Sequence, residues 1–181
     1  MSRWDDVPMV GRAAELARLL SHVDRAAAGH ASAVLLAGDA GVGKTRLLDE
    51  LTACSAGRGV RVLTGHCVDL GDVGLPYLPF VDLFRPVAAD PALAPTAAAS
   101  PVLAGLLAGR PGSQPIGPAG GDGEDLGRPL PYRAAPQPDD DGRLQLFESV
   151  ANLIGELASS GPLLLVLEDV HWADRSSRDL I

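Results

Sequence analysis

With 181 residues and 46% apolar content, the chain has the length of one ordinary domain, and a domain of that size buries roughly 70% of its unfolded surface, which excludes wholesale disorder. Its 15 basic and 23 acidic residues leave a net charge of −8, so it has no general electrostatic attraction for nucleic acid or an anionic membrane. No apolar run approaches the ~20 residues of a membrane helix, and the opening Met-Ser-Arg-Trp-Asp-Asp-Val-Pro lacks the apolar core of a signal peptide; the expectation is a cytoplasmic protein with no membrane partner.

Leu16, Leu19, Leu20, Val23 and Ala27 recur at helical spacing and predict a helix over 12–28 that Gly29 ends. Ala33-Val34-Leu35-Leu36-Ala37 is a short continuous apolar run and predicts a strand buried on both faces. Leu47, Leu48 and Leu51 resume helical spacing up to Gly57, and Val60-Arg61-Val62-Leu63-Thr64 predicts a second strand rich in β-branched residues. Strand, helix and strand within about 32 residues form a βαβ unit. Cys54 and Cys67 stand 13 positions apart with no Cys-x-x-Cys pattern, which indicates neither a zinc site nor a disulfide framework.

From Pro86 the character changes. Residues 86–142 hold 11 of the 15 prolines and a single aromatic, Tyr132, so this low-complexity stretch buries too little to offset its ordering entropy. It is expected to be a disordered insertion, with one short helix allowed over Val102 to Leu107 and a regulatory lid as the competing reading. Leu144, Phe147, Ala151, Ile154 and Leu157 return to helical spacing, Ser159-Ser160-Gly161-Pro162 closes that helix, and Leu163-Leu164-Leu165-Val166-Leu167 predicts a central parallel strand delivering Glu168 and Asp169 at its end. The resulting boundaries are 1–85, the insertion 86–142, and 143–181, with the first and last belonging to one domain.

Gly38-Asp39-Ala40-Gly41-Val42-Gly43-Lys44-Thr45 fits the pattern G-x-x-x-x-G-K-[ST] directly after an apolar run and ahead of a helix. Its glycines permit backbone angles that turn consecutive N–H groups toward a phosphate chain, and the helix N-terminus adds partial positive charge. Lys44 is the only lysine among 15 basic residues; a compact ammonium suits the β- and γ-phosphates of ATP where an arginine fork does not. Thr45 is expected to place its hydroxyl on Mg²⁺. Glu168 is expected to hold Mg²⁺ partly through water and Asp169 to orient or deprotonate the attacking water; the pair runs Glu-Asp where P-loop proteins usually have Asp-Glu. His171 and Trp172 read as packing residues, and Asp174 is placed to cap a helix starting at Arg175.

Val10-Gly11-Arg12 with Glu15-Leu16, the Gly38 to Thr45 loop, Gly65-His66-Cys67, the Pro76 to Phe84 stretch, and Leu165 to Asp174 ending in His-Trp-Ala-Asp together resemble a known group. It is the AAA-like ATPase module of signal-transduction ATPases with numerous domains, found in LuxR-type ATP-binding transcriptional regulators and some adenylate-cyclase-linked proteins. The resemblance spans residues 10–85 and 143–181. It implies a P-loop NTPase fold, a three-layer α/β/α parallel sheet, with Arg12 near the adenine end of the nucleotide. It further implies an ATP-dependent switch whose DNA contact comes from C-terminal domains absent from this chain; self-association is left open. In that family a further strand lies between the phosphate-loop strand and the acidic strand, so this sequence is expected to be a part of the domain, truncated after the acidic strand.

Two other functions compete with the switch. A nucleotide-binding remnant without turnover keeps the fold and lacks the sensor residues. A stand-alone P-loop phosphotransferase would use 86–142 as a substrate lid, but that stretch carries Arg110, Arg128 and Arg133 against seven acids, and its net charge of −4 repels a phosphorylated substrate.

Overall fold

The computed structural model describes residues 11–69, 76–108 and 140–181. Helix α1 (Ala13–Ala27) is followed by α2 (Lys44–Ala56), strand β1 (Arg61–His66), helices α3 (Leu78–Ala89), α4 (Ala94–Ala98), α5 (Pro101–Ala108) and α6 (Asp140–Ser159), strand β2 (Leu163–Glu168), a 3₁₀ turn (Val170–Trp172) and α7 (Arg175–Leu180). β1 and β2 pair in parallel, from Arg61 opposite Leu163 to His66 opposite Glu168. The strand alternation sends successive side chains to opposite faces. Leu163, Leu165 and Leu167 therefore pack on the larger cluster, built from α3, α5, α6 and neighbouring segments, while Leu164 packs on Val23, Leu51 and Val60 from the α1 and α2 side. Helices thus cover both faces of a small parallel sheet.

The helices expected around Leu16 to Ala27, Leu47 to Leu51 and Leu144 to Leu157 are present, and Gly29 sits just past α1 with φ +85°. The run Ala33 to Ala37 differs from expectation. It forms no strand; Val34 is 50% and Leu35 85% exposed. Among the described residues β2 pairs only with β1, so the 33–37 backbone has no ladder partner and its side chains have no layer to bury against. The βαβ unit expected between Ala33 and Thr64 is accordingly replaced by a parallel pair whose strands are far apart in sequence.

The disordered insertion expected over 86–142 also needs correction in its first part. α3 runs through Pro86 to Ala89, and α4 and α5 pack into the larger cluster through Ala97 and Leu103. The helix expected near Val102 to Leu107 lies within α5. Pro95 lies in the first turn of α4 and Pro101 is the first residue of α5, positions where a missing N–H costs nothing, and Pro86 is carried inside α3. Residues 140–142 open α6 rather than closing the insertion, and its middle, 109–139, lies outside the described residues.

Gly65 lets α3 approach β1 closely. A Cβ at Gly65 would stand 2.2 Å from the Pro79 carbonyl oxygen, 3.1 Å from Leu167 Cδ2 and 3.2 Å from Leu83 Cβ. Gly65→Ala is expected to force α3 off the sheet and to destabilise by about 1–3 kcal/mol, the usual range for overpacking. A urea denaturation midpoint that falls with an unchanged slope would show this; an unchanged midpoint would contradict the close approach.

Candidate functional site

The loop from Gly38 to Thr45 joins the irregular segment 33–37 to α2. Gly41 and Gly43 adopt φ +79° and +90°, left-handed values that L side chains rarely take, and Gly43 caps α2 so that Lys44 is its first residue. Lys44 Nζ donates to the carbonyl oxygens of Gly38 at 2.7 Å and Asp39 at 2.9 Å. The ammonium is thereby folded back over the loop it belongs to. Ala40, Val42 and Thr45 are exposed on the same loop, and the Thr45 hydroxyl has no hydrogen-bond partner among the described residues. The resulting cradle has loop N–H groups, a helix N-terminus and one ammonium, the donor set a polyphosphate requires.

Arg12 stands beside this loop. Its Nη2 donates to the Val42 carbonyl oxygen at 3.1 Å and its Nη1 pairs with Glu15 at 2.8 Å. Hydrogen bonding to its own backbone N–H, followed by the Arg12 guanidinium, holds the Glu15 carboxyl below the usual carboxylate range. Sequence spacing alone announces no contact between Arg12 and Val42, because 30 residues separate them.

At the other end of the chain, β2 delivers Glu168 opposite His66. The Glu168 side chain is 13% exposed and that of His66 56%; His66 Nε2 lies 3.7 Å from Glu168 Oε1, and His66 Nδ1 is 2.7 Å from Asp82 Oδ2 on α3. Asp169 follows in the left-handed region, φ +54°, a conformation that Asp tolerates better than most residues, and its carbonyl accepts from the Trp172 N–H to close the 3₁₀ turn. The Asp169 side chain is exposed. Neither Lys44 nor Thr45 hydrogen-bonds Glu168 or Asp169 directly, and among the described residues no three His, Cys, Asp or Glu side chains converge as a metal cage. Such a cage is not what Mg²⁺ on a nucleotide needs, since that ion takes one or two protein oxygens and completes its shell with water and phosphate.

The segment after the acidic pair ties into the core. Asp174 caps α7 by accepting from the Ser177 N–H at 3.1 Å, as its position predicted, and the Ser177 hydroxyl also bonds the Asp174 carboxylate. The buried Ser177 Oγ accepts from the Tyr77 N–H at 3.1 Å, joining α7 to the start of α3. The rings of His171 and Trp172 meet at a tilt of 43° with centroids 4.8 Å apart, and Trp172 is exposed. Burial pushes the Cys67 thiol up, and the carboxylates of Asp174 and Asp169 push it the same way; at neutral pH it is a protonated thiol without nucleophilic character. Neither cysteine forms a disulfide.

This phosphate cradle lies within a match to the AAA ATPase domain that extends over residues 8–181. The chain belongs to the AAA ATPase domain family. It is therefore a nucleotide-binding, P-loop ATPase-type module, and the family match runs through the proline-rich middle as well as the two flanking parts. Among curated proteins, this AAA ATPase domain is 29% identical over 186 residues to R02095 of Rhizobium meliloti (strain 1021), a protein described as uncharacterized, covering 96% of this chain and 17% of that protein. The chain thus spans about a sixth of the relative's length. No solved structure matches it. Among the described residues no helix is long and apolar enough to cross a membrane.

Proposed function

We propose that this AAA ATPase domain binds Mg²⁺-ATP and serves as an ATP-dependent switch inside a larger cytoplasmic signal-transduction regulator of the LuxR-type, numerous-domain class. The observation that carries the reading is the cradle of Gly38 to Thr45, with Lys44 Nζ held over the loop by two carbonyl oxygens. On binding, the ammonium exchanges those neutral acceptors for the β- and γ-phosphate oxygens, a stronger charge-assisted pairing. The loop N–H groups from Asp39 to Lys44 wrap the phosphate chain, and Arg12 braces the loop through the Val42 carbonyl beside the adenine end.

Thr45 and Glu168 are the residues that would hold Mg²⁺: an exposed hydroxyl with no competing partner, and a carboxylate set at the end of a parallel strand, where open α/β sheets bind ligands. Bound Mg²⁺ supplies charge neutralisation on the β- and γ-phosphate oxygens. Glu168 is enclosed beside His66 while Asp169 projects from the tight turn after β2, which supports Asp169 as the group that orients the attacking water and accepts its proton. The full three-layer α/β/α sheet belongs to the same reading, supported by helices packed on both faces of the β1–β2 pair. Contact with DNA is assigned to regions outside this chain, consistent with its net charge of −8.

Asp169→Asn separates binding from chemistry. Mg²⁺-ATP affinity is expected to stay within about twofold of the parent, while phosphate release falls roughly 100-fold or more, the usual scale for losing a positioned base. Calorimetry and a phosphate-release assay on the same samples check this. A loss of ATP affinity equal to the loss of turnover would remove Asp169 from the water role.

A further inference from the structure

We propose that Ser177 is a positioning residue for Asp169, clipping the turn that carries its carboxylate to the start of α3. This deepens the reading of Asp169 given above and rests on it. Among the described residues only two that are not glycine have positive φ, Asp169 at +54° and Tyr77 at +63°. Such conformations persist where the surrounding structure over-determines them. One buried hydroxyl links the two segments that contain them. The Tyr77 N–H donates to Ser177 Oγ at 3.1 Å, and the Ser177 hydroxyl donates to one Asp174 carboxylate oxygen. The other Asp174 oxygen accepts from the Ser177 N–H at 3.1 Å. Ser177 is 0% exposed, so water does not replace a lost partner and the unmet group carries its full desolvation cost.

The turn after β2 is thereby fixed at both ends. At its start Asp169 follows β2 directly, and its carbonyl accepts from the Trp172 N–H at 2.8 Å. At its end the Ala173 N–H returns to the Val170 carbonyl at 3.0 Å, and Asp174 caps α7. Tyr77 is the N-cap of α3, the helix that Gly65 admits against β1, so the clip refers the turn to the same sheet that delivers Asp169. Ala173 is buried and Leu180 packs on the larger cluster; these apolar contacts set depth, whereas the Ser177 hydrogen bonds are directional and set orientation. The Arg143–Asp179 pair also reaches α7 at 2.6 Å, but both side chains are more than a third exposed, where ion pairs contribute little. A reacting group misplaced by about 1 Å can cost roughly 100-fold in rate even when the change is far from the chemistry.

Ser177→Ala deletes the link to Tyr77 and leaves the Ser177 backbone N–H to the cap. The test compares the parent, Ser177→Ala and Asp169→Asn by Mg²⁺-ATP calorimetry, phosphate release at saturating ATP, and amide hydrogen exchange. Ser177→Ala is expected to keep ATP affinity within about twofold and to release phosphate about tenfold more slowly. Its Trp172 amide is expected to exchange about tenfold faster while the amides of β1 and β2 hold their rates, the mark of a local opening. Ser177→Cys, whose sulfur is a weak acceptor, carries the same expectation should Ser177→Ala fail to fold. Faster exchange throughout, a loss of affinity equal to the loss of turnover, or unchanged turnover overturns the positioning role alone. A folded parent that releases no phosphate, or Asp169→Asn as active as the parent, overturns the reading of Asp169 and this inference with it.

Discussion

Lys44→Ala is expected to weaken Mg²⁺-ATP binding by at least about 100-fold, close to 2.8 kcal/mol on the scale where 1.4 kcal/mol is tenfold. The substitution removes the sole lysine of the chain from a loop where Nζ spans the Gly38 and Asp39 carbonyl oxygens. Charge-assisted hydrogen bonds contribute about 1.5–3 kcal/mol each, and one ammonium serves two phosphates. Folding is expected to be nearly unaffected, because both carbonyls are exposed and water replaces the amine. Parallel calorimetry and thermal melts check the two halves of the prediction. A variant that melts like the parent and binds ATP as tightly would remove the phosphate loop from the account.

Leu103→Ala is expected to cost about 2–5 kcal/mol, the range for removing a fully buried leucine. Leu103 is 1% exposed in a cluster with Phe84, Val87, Ala97, Leu146 and Val150. At roughly 2–4 °C per kcal/mol for a domain of this length, its melting midpoint should fall by about 5–15 °C. The result bears directly on the proline-rich segment: if 86–108 did not pack, the substitution would leave the midpoint where it was. Leu144→Ala provides the contrast, since Leu144 is exposed on α6 and its loss should be close to neutral.

These two sites also mark what the sequence made legible. The phosphate loop was readable because its chemistry is local: eight consecutive residues carry the glycines, the ammonium and the hydroxyl, and the spacing alone specifies them. The acidic strand was readable for the same reason, as an apolar run ending in Glu168 and Asp169, and Asp174 was placed at its cap by the position of Arg175. Arg12 on the Val42 carbonyl, and Arg85, Asp82 and His66 in line with Glu168, were not readable. Arg12 and Val42 stand 30 residues apart, and His66 meets Asp82 and Glu168 only through the close approach of α3 at Gly65 and the register of β1 on β2.

The two departures in fold have a common origin. Composition over a window measures what a segment is able to bury and says nothing of what surrounds it. The run Ala33 to Ala37 is apolar enough for an interior strand, yet a strand needs a neighbour for its backbone, and none of the described strands supplies one. Residues 86–108 are proline-rich and poor in aromatics, yet Pro95 and Pro101 open helices, and Leu103 and Ala97 pack into one core with side chains of α3 and α6. Periodicity identified the long helices and the two strands that pair, and tertiary contacts decided the rest.

The measurement that tests the central claim most directly is a calorimetric titration of the 181-residue chain with ATP in excess Mg²⁺. A saturable isotherm with one nucleotide per chain is the predicted result. A chain that melts cooperatively and takes up no ATP would contradict it.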